Sequence, residues 1–395
     1  MATLTHEQAI DQWIREAVSD CADFGALVRR LPGVYPADVA LGLERLGLTI
    51  PMPPSEPLTA PAGPIPHPAD SDWRFDAETC ETIPRIVDEL HGRNARVTLI
   101  GCPSLFVPLQ TGAPRRTLLV EANPAWQQWF RAQSSSAPHD LIDLRPVADS
   151  DVVVADPPWY LPEYCYFLSI AGCVARPGAC LLLAWPSKGT RPGLETEWSE
   201  LLLVAEKMGW RYLSTRSRLL GYQTPWFEAQ ALIATGLPVL ANWRRGDLAI
   251  FTRTNNASVE IAPPSRHWQE ARHGRLELRA LVDRPFGPQV DPRLRSIVEG
   301  DVLPSVSRRH PARRHTHVWT AGNRVFSCAR PDLLLELVAT LADGLASAVS
   351  RIEDKLGRHL SSDERHWCGL AADQLVVLET TEARDYGAVH ALAAG

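Results

Sequence analysis

Between residues 72 and 254 short apolar runs alternate with amphipathic stretches, and few architectures accommodate that rhythm. RVTLIG (96–101), RTLLVEANP (116–124), DVVVADPP (151–158) and CLLLAWP (180–186) read as buried strands, with a weaker one in HDLID (139–143). ETCETIPRIVDELHGRNA (78–95), AWQQWFRAQ (125–133) and YLPEYCYFLSIAGCVARPGA (160–179) are helical in pattern, the last broken by Pro177-Gly178. ETEWSELLLVAEKMGW (195–210) adds an amphipathic helix, and EAQALIAT (228–235) and DLAIFTR (247–253) complete the series. Strands apolar throughout and separated by helices need cover on both faces. That is the condition of a parallel, doubly wound α/β sheet.

A chain of 395 residues exceeds one ordinary domain. Ile10, Trp13, Ile14, Ala17 and Val18 share one helical face, and Phe24, Leu27 and Val28 begin another. After a turn at Pro32-Gly33, a helix is opened by Pro36, Ala37 and Asp38 and closed by Gly47. Residues 1–50 thus resemble a small winged-helix module, or equally a helical docking module through which two copies could pair. PMPPSEPLTAPAGPIPHPADSD (51–72) holds too many prolines for helix or sheet and predicts a stiff connector. Residues 73–254 form the Rossmann-like α/β domain, and 255–395 an α+β appendage. In it PDLLLELVATLADGLASAVSRIEDKL (331–356) predicts one long amphipathic helix, and ARDYGAVHALAAG (383–395) a loosely held end.

With a net charge of −6 and a pI near 6.1, no global positive field draws in nucleic acid. Eight cysteines without a C-x-x-C pair predict reduced thiols. No run reaches the length of a membrane span and MATLTHEQAIDQ is too polar for a signal peptide, so a cytoplasmic protein is expected. One dense basic run stands out, SVSRRHPARRHTHVWTAGNRVF (305–326). Arg308, Arg309, Arg313 and Arg314, with His310, His315 and His317, precede a hairpin pattern, HVWT-AGN-RVF. The run is a candidate for holding phosphates, or equally an ordinary solvated loop. Its histidines lack the spacing of a zinc site, so no metal is expected.

In open parallel sheets ligands bind outside the carboxyl ends of the strands. Three features stand there in chain order: Gly101 with Ser104 after the first strand, Glu121 ending the second, and Asp156-Pro157-Pro158-Trp159-Tyr160 ending the fourth. An acid at the second tip is the usual partner of ribose hydroxyls in a bound adenosine, which nominates Glu121. Asp143, after the weak third strand, is placed to meet the adenine ring.

Asp156-Pro157-Pro158-Trp159 resembles the motif of amino-methyltransferases of the N6-adenine and N4-cytosine class, over roughly residues 97–253. The resemblance implies S-adenosylmethionine as cofactor and an exocyclic amine of a nucleic acid base as acceptor. Such an amine is a poor nucleophile because its lone pair is delocalised into the base. Accepting both its protons, by Asp156 and the Pro157 carbonyl, localises electron density on nitrogen. The two prolines, with Pro158 second, fix that carbonyl in advance. Trp159 or Tyr160 would stack on the extruded base. The glycine-rich first loop of that family is replaced here by Gly101-Cys102-Pro103-Ser104.

The layout also resembles the branched-chain polyamine synthases, which join a winged-helix-like module to a doubly wound domain with a glycine-poor first loop. That resemblance implies aminopropyl transfer from decarboxylated S-adenosylmethionine to a secondary amine. A polycationic acceptor calls for clustered carboxylates, whereas only Asp156 and Glu163 lie near the motif in sequence. Methylation is therefore the favoured expectation. A non-catalytic binding protein that keeps the fold is the third.

Overall fold

A computed structural model describes residues 4–111, 116–133, 149–255, 261–262, 268–282 and 286–391. Three helices open the chain: α1 (His6–Ala17), α2 (Phe24–Arg30) and α3 (Pro36–Leu46). Thr5 and Gln8 cap α1 reciprocally, Asp23 caps α2, and Gly47 ends α3 at φ 61°. Their shared apolar face packs against Leu232, Leu237, Leu240 and Trp243 of the same chain. Pairing with a second copy through that face is thereby closed off. Among the described residues no strand precedes Arg74, so no wing forms here. The chain leaves α3 into its proline-rich stretch, which lacks the N–H groups a ladder needs.

The first sheet is built from β1 (Arg74–Phe75), α4 (Ala77–His91), β2 (Val97–Ile100), α5 (Pro103–Thr111) and β3 (Thr117–Val120). Next come α6 (Pro124–Gln133), β4 (Ser150–Ala155), α7 (Leu161–Val174), β5 (Ala175–Pro186) and α8 (Leu194–Lys207). β6 (Trp210–Gln223), α9 (Trp226–Ala234) and β7 (Arg245–Arg253) complete it. The strand order is β1-β6-β7-β5-β4-β2-β3. β3, β2, β4 and β5 are parallel, as their apolar runs predict. β7 enters antiparallel between β5 and β6, which restores β6 to the direction of the parallel set. The sheet is therefore mostly, not wholly, parallel. β6 escapes the sequence pattern because Arg211, Tyr212, Leu213 and Ser214 are all exposed. Pro177-Gly178 lies in the irregular start of β5, beyond the end of α7, where the β4–β5 register also shifts.

The second sheet, all antiparallel, comprises β8 (Trp268–His273), β9 (Leu276–Leu281), β10 (Arg295–Ser296), β11 (Val318–Thr320) and β12 (Val325–Ser327). The hairpin expected at 317–326 forms, with Val318 opposite Phe326. Helices α10 (Pro331–Thr340), α11 (Leu345–Leu356) and α12 (Ser362–Ala391) follow. The single helix expected over 331–356 breaks at Gly344, whose φ of 92° suits glycine alone. No helix among the described residues is long and apolar enough to cross a membrane.

From 383 through 391 the segment expected to be loosely held is helical, and residues 392–395 lie outside the described residues. The segment belongs to the 30-residue α12, anchored by buried Glu382. Glu382 accepts hydrogen bonds from Thr320 Oγ1 (3.0 Å), the Gly322 N–H (2.8 Å) and Arg324 Nη1 (2.7 Å). Arg324 also reaches Asp385 at 2.6 Å. Removing one partner strands a charge in the interior, so Glu382→Ala should cost about 3–5 kcal/mol in urea unfolding. A loss below about 1 kcal/mol would show that apolar packing alone anchors α12.

Candidate active site

A crevice of about 1230 Å³ lies over the carboxyl ends of β2, β3 and β4. Its other walls come from the N-terminal helices (His6, Asp38, Arg45), the second sheet (Trp268, Glu270, Arg279) and residues 304–310. Parallel strands put their tips on one side, so Gly101, Glu121 and Asp156 meet there although 55 residues apart.

Gly101 turns the chain out of β2 at φ 64°. A Cβ there would lie 2.9 Å from the Phe167 ring and 3.3 Å from the Asp156 carbonyl, so only glycine fits. Glu121 faces the crevice, accepting the Asn123 N–H at 2.7 Å. Burial pushes its carboxyl up to about 7, opposed by the Asn123 bond and reinforced by Asp72 and Asp70. Ser104 does not face the ligand space as expected. It lies inside α5, and its hydroxyl accepts the Phe75 N–H at 3.3 Å, fastening β1 to that helix. Asp143 lies outside the described residues.

Asp156 continues the ladder of β4 for one residue, donating its N–H to the Ile100 carbonyl at 3.1 Å. Its Oδ1 accepts the Tyr222 hydroxyl at 2.9 Å. Burial raises its carboxyl to about 7, against the opposing pulls of Tyr222, Arg244 and Trp159. The Pro158 carbonyl is occupied by the Tyr160 N–H (2.7 Å). Among the described residues nothing donates to the Pro157 carbonyl.

The aromatic residues of the motif do not stand open for stacking. Trp159 is 6% exposed, edge-on to Tyr222 at 5.5 Å, with the Arg244 guanidinium over its ring at 4.1 Å. The same guanidinium lies 4.1 Å from the Trp73 ring, so Arg244 is held between two indoles. Arg308 and Arg191 cover the Tyr160 ring at 4.3 and 5.4 Å. Rings beside the half-buried Asp156 carboxylate serve here to hold a cation near it.

The basic run is likewise engaged internally. Arg308 pairs with Glu163, and Arg309 with Glu197 (2.9 Å) and the Pro192 carbonyl (3.0 Å). Arg313 lies over Trp319 at 4.0 Å and donates to the Val306 carbonyl. Only Arg314, exposed, keeps the position expected of a phosphate contact. The other three strap residues 305–313 onto the body, and Arg308 and Arg309 line the crevice.

Reading the sequence missed Trp73, Tyr222, Glu228 and Arg244. They come from the residue before β1, from β6, from the start of α9 and from the entry to β7, on the far half of the sheet. Their signals, a tryptophan after the prolines and GYQTPW (221–226), carry no chemistry in isolation. Most buried side-chain polar atoms that lack a partner also line this crevice: Trp126 Nε1, Glu163 Oε2, Thr190 Oγ1, Arg191 Nε, both Glu228 oxygens, Trp243 Nε1 and Trp268 Nε1. Such a concentration is what a cradle for a polar ligand leaves behind. With Gly101 and Glu121 in place, it fits an adenosine-bearing cofactor.

Residues 69–173, which carry Gly101, Glu121 and the Asp156 motif, match the sequence family described as probable N6-adenine methyltransferase. No curated protein matches the chain. Among solved structures, the fold is similar to a branched-chain polyamine synthase mutein from Thermus thermophilus, in complex with N4-aminopropylspermidine and 5'-methylthioadenosine. The two are 14% identical, with a TM-score of 0.50, over 65% of this chain and 90% of that one. A TehB-like S-adenosylmethionine-dependent methyltransferase from Corynebacterium glutamicum matches at 14% identity and a TM-score of 0.30, over 45% of this chain and 89% of its own. The matched segment, which spans these three strand tips, thus resembles an S-adenosylmethionine-dependent methyltransferase family, whose cofactor is S-adenosylmethionine.

Proposed function

We propose that the crevice transfers a methyl group to an exocyclic amino nitrogen of a nucleic acid base. The observation that carries this reading is Asp156, half-buried at the tip of β4 beside an unoccupied Pro157 carbonyl. S-adenosylmethionine supplies an electrophilic methyl group. Gly101 lets the backbone approach it and Glu121 accepts from its ribose hydroxyls. Asp156 accepts one amine proton and the Pro157 carbonyl the other, which localises electron density on nitrogen so that its lone pair, directed out of the base plane, can attack the methyl group. Once the new N–C bond forms, a carboxyl with a pKa near 7 can take the surplus proton. Tyr222 holds that carboxylate in one rotamer, and the Arg244 charge nearby favours its ionised form. A base entering this site is gripped by its edge, because Trp159 and Tyr160 are already covered.

Those covered rings favour a second reading, alkyl transfer to an aliphatic amine. Such an acceptor needs no stacking face, and the crevice holds carboxylates that the motif's neighbourhood in sequence does not reveal, Glu228 foremost. Transfer assays with labelled S-adenosylmethionine and its decarboxylated form, on oligonucleotides and on spermidine, separate the readings. Turnover on oligonucleotides alone supports the first, on spermidine alone the second, and turnover on neither rejects both acceptors.

Glu121→Ala should weaken S-adenosylmethionine binding by about 1.5–3 kcal/mol in calorimetry, through loss of charge-assisted hydrogen bonds. An unchanged affinity would place the ribose elsewhere. Asp156→Asn should abolish transfer while leaving cofactor affinity nearly intact. In the wild type kcat/KM should rise with pH through about 7 as Asp156 ionises. A flat profile from pH ~5.5 to ~8.5 would remove Asp156 from the chemistry. The stability of the unliganded protein should move oppositely. Glu121, Asp156 and Glu228 all have raised folded-state values of about 7, so the folded state holds their protons longer than the unfolded chain does. Their contribution is present at acidic pH and lost as pH climbs from ~4 to ~7, which urea titrations at several pH values would record.

A further inference from the structure

Glu228 stands apart from every other buried acid of the described residues. Asp76 caps α4 on the Thr79 N–H, and Glu163 pairs with Arg308. Glu277 pairs with Arg279, Asp291 with Arg293 and Glu382 with Arg324. Glu228, in the first turn of α9, is 1% exposed and lines the crevice, yet neither of its oxygens has a hydrogen-bond partner. One donor is at hand, the Tyr35 hydroxyl, but its well-formed bond goes to the Pro304 carbonyl at 3.1 Å. A carboxylate kept dry and unpaired is costly, and its retention calls for a ligand.

The surroundings define what that ligand carries. The Tyr35 and Trp243 rings meet edge to face at 5.7 Å, and both line the crevice with Phe227. Arg244 attracts Glu228 and Asp156 alike, yet it is stacked between Trp73 and Trp159 and forms no ion pair within 4 Å with either. One fixed cation therefore serves two carboxyl groups, Glu228 buried and Asp156 half-buried. When both are ionised, one negative charge is left uncompensated in a cleft walled by aromatic faces. An anion would be repelled there, and a neutral hydroxyl would satisfy an oxygen without balancing the charge. A protonated amine does both.

We propose that Glu228, enclosed by Tyr35, Phe227 and Trp243, is a second acceptor-binding subsite that holds a protonated amino group other than the nitrogen presented to Asp156. The subsite assigns a task to the N-terminal helices. By supplying Tyr35 they wall the acceptor end of the crevice, and no nucleic-acid wing is needed to explain their presence. The proposal rests on the second reading above, transfer to an aliphatic amine, and the two can fail separately.

The test is calorimetry on the full-length protein, with and without S-adenosylmethionine, titrated with spermidine as the amine probe. Sodium chloride of matched ionic strength controls for screening. Glu228→Gln preserves shape and removes the charge. It should weaken spermidine by at least about tenfold, the scale of one charge-assisted contact, and leave S-adenosylmethionine affinity within about twofold. Its thermal midpoint should equal or exceed that of the wild type, because an unpaired carboxylate has been removed. Equal spermidine affinity in the two proteins, no spermidine binding to the wild type at millimolar concentration, or a lowered midpoint pointing to a structural role would each overturn the subsite. Failure to bind S-adenosylmethionine would count against the transferase reading alone. Spermidine binding that Glu228→Gln removes would still uphold the subsite.

Discussion

The site depends on one constraint, an ionisable carboxyl group held only half open to water at the tip of a buried strand. Asp156 can be held there because its backbone still belongs to the ladder, through the Ile100 carbonyl, while its side chain is gripped by Tyr222. Tyr222 is itself 1% exposed and packed against Phe75 and Trp159, so the grip is rigid. Arg244 adds the compensating charge without neutralising it by contact. Trp73 and Trp159 clamp its guanidinium from both faces and fix its distance from the acid. The pairing of β6 with β1 and β7 is what brings these groups to one edge.

Around that centre, parts remote in sequence serve one enclosure. The N-terminal helices bury their apolar faces on α9 and its exit loop, and Tyr35 thereby reaches the crevice. The second sheet closes the opposite side, where Arg279 pairs with Asp70 at 2.8 Å beside the cofactor end. Residues 305–313 strap over the top through Arg308 and Arg309. Folding of the outer pieces is thus coupled to formation of the site.

How much of this the sequence discloses follows from the range of each interaction. Gly101, Glu121 and Asp156 are legible because a period of apolar residues ending in a polar one marks a strand tip, and parallel tips share an edge. The hairpin at 317–326 is legible for the same local reason. Tyr222, Arg244 and Glu228 are not, because their meaning arises only when β6 and β7 bring them opposite Asp156. The arginines from 308 to 313 mislead for the converse reason: a local run of charge says nothing of Glu163 and Glu197, which lie more than a hundred residues away and consume it. Trp159 looks like a stacking face in sequence and proves to be a prop for Arg244. The break at Gly344 shows that a periodic apolar stripe can survive a change of helix axis.

The central claim is that a cofactor on Gly101 and Glu121 presents its transferable group to Asp156. A crystal structure of the full chain with S-adenosylhomocysteine tests it most directly. The account predicts ribose hydroxyls on the Glu121 carboxylate and the sulfur directed toward the Asp156 side chain, with Tyr222 still bonded to it. A nucleoside bound away from the β3 tip, or a sulfur pointing away from Asp156, would contradict it.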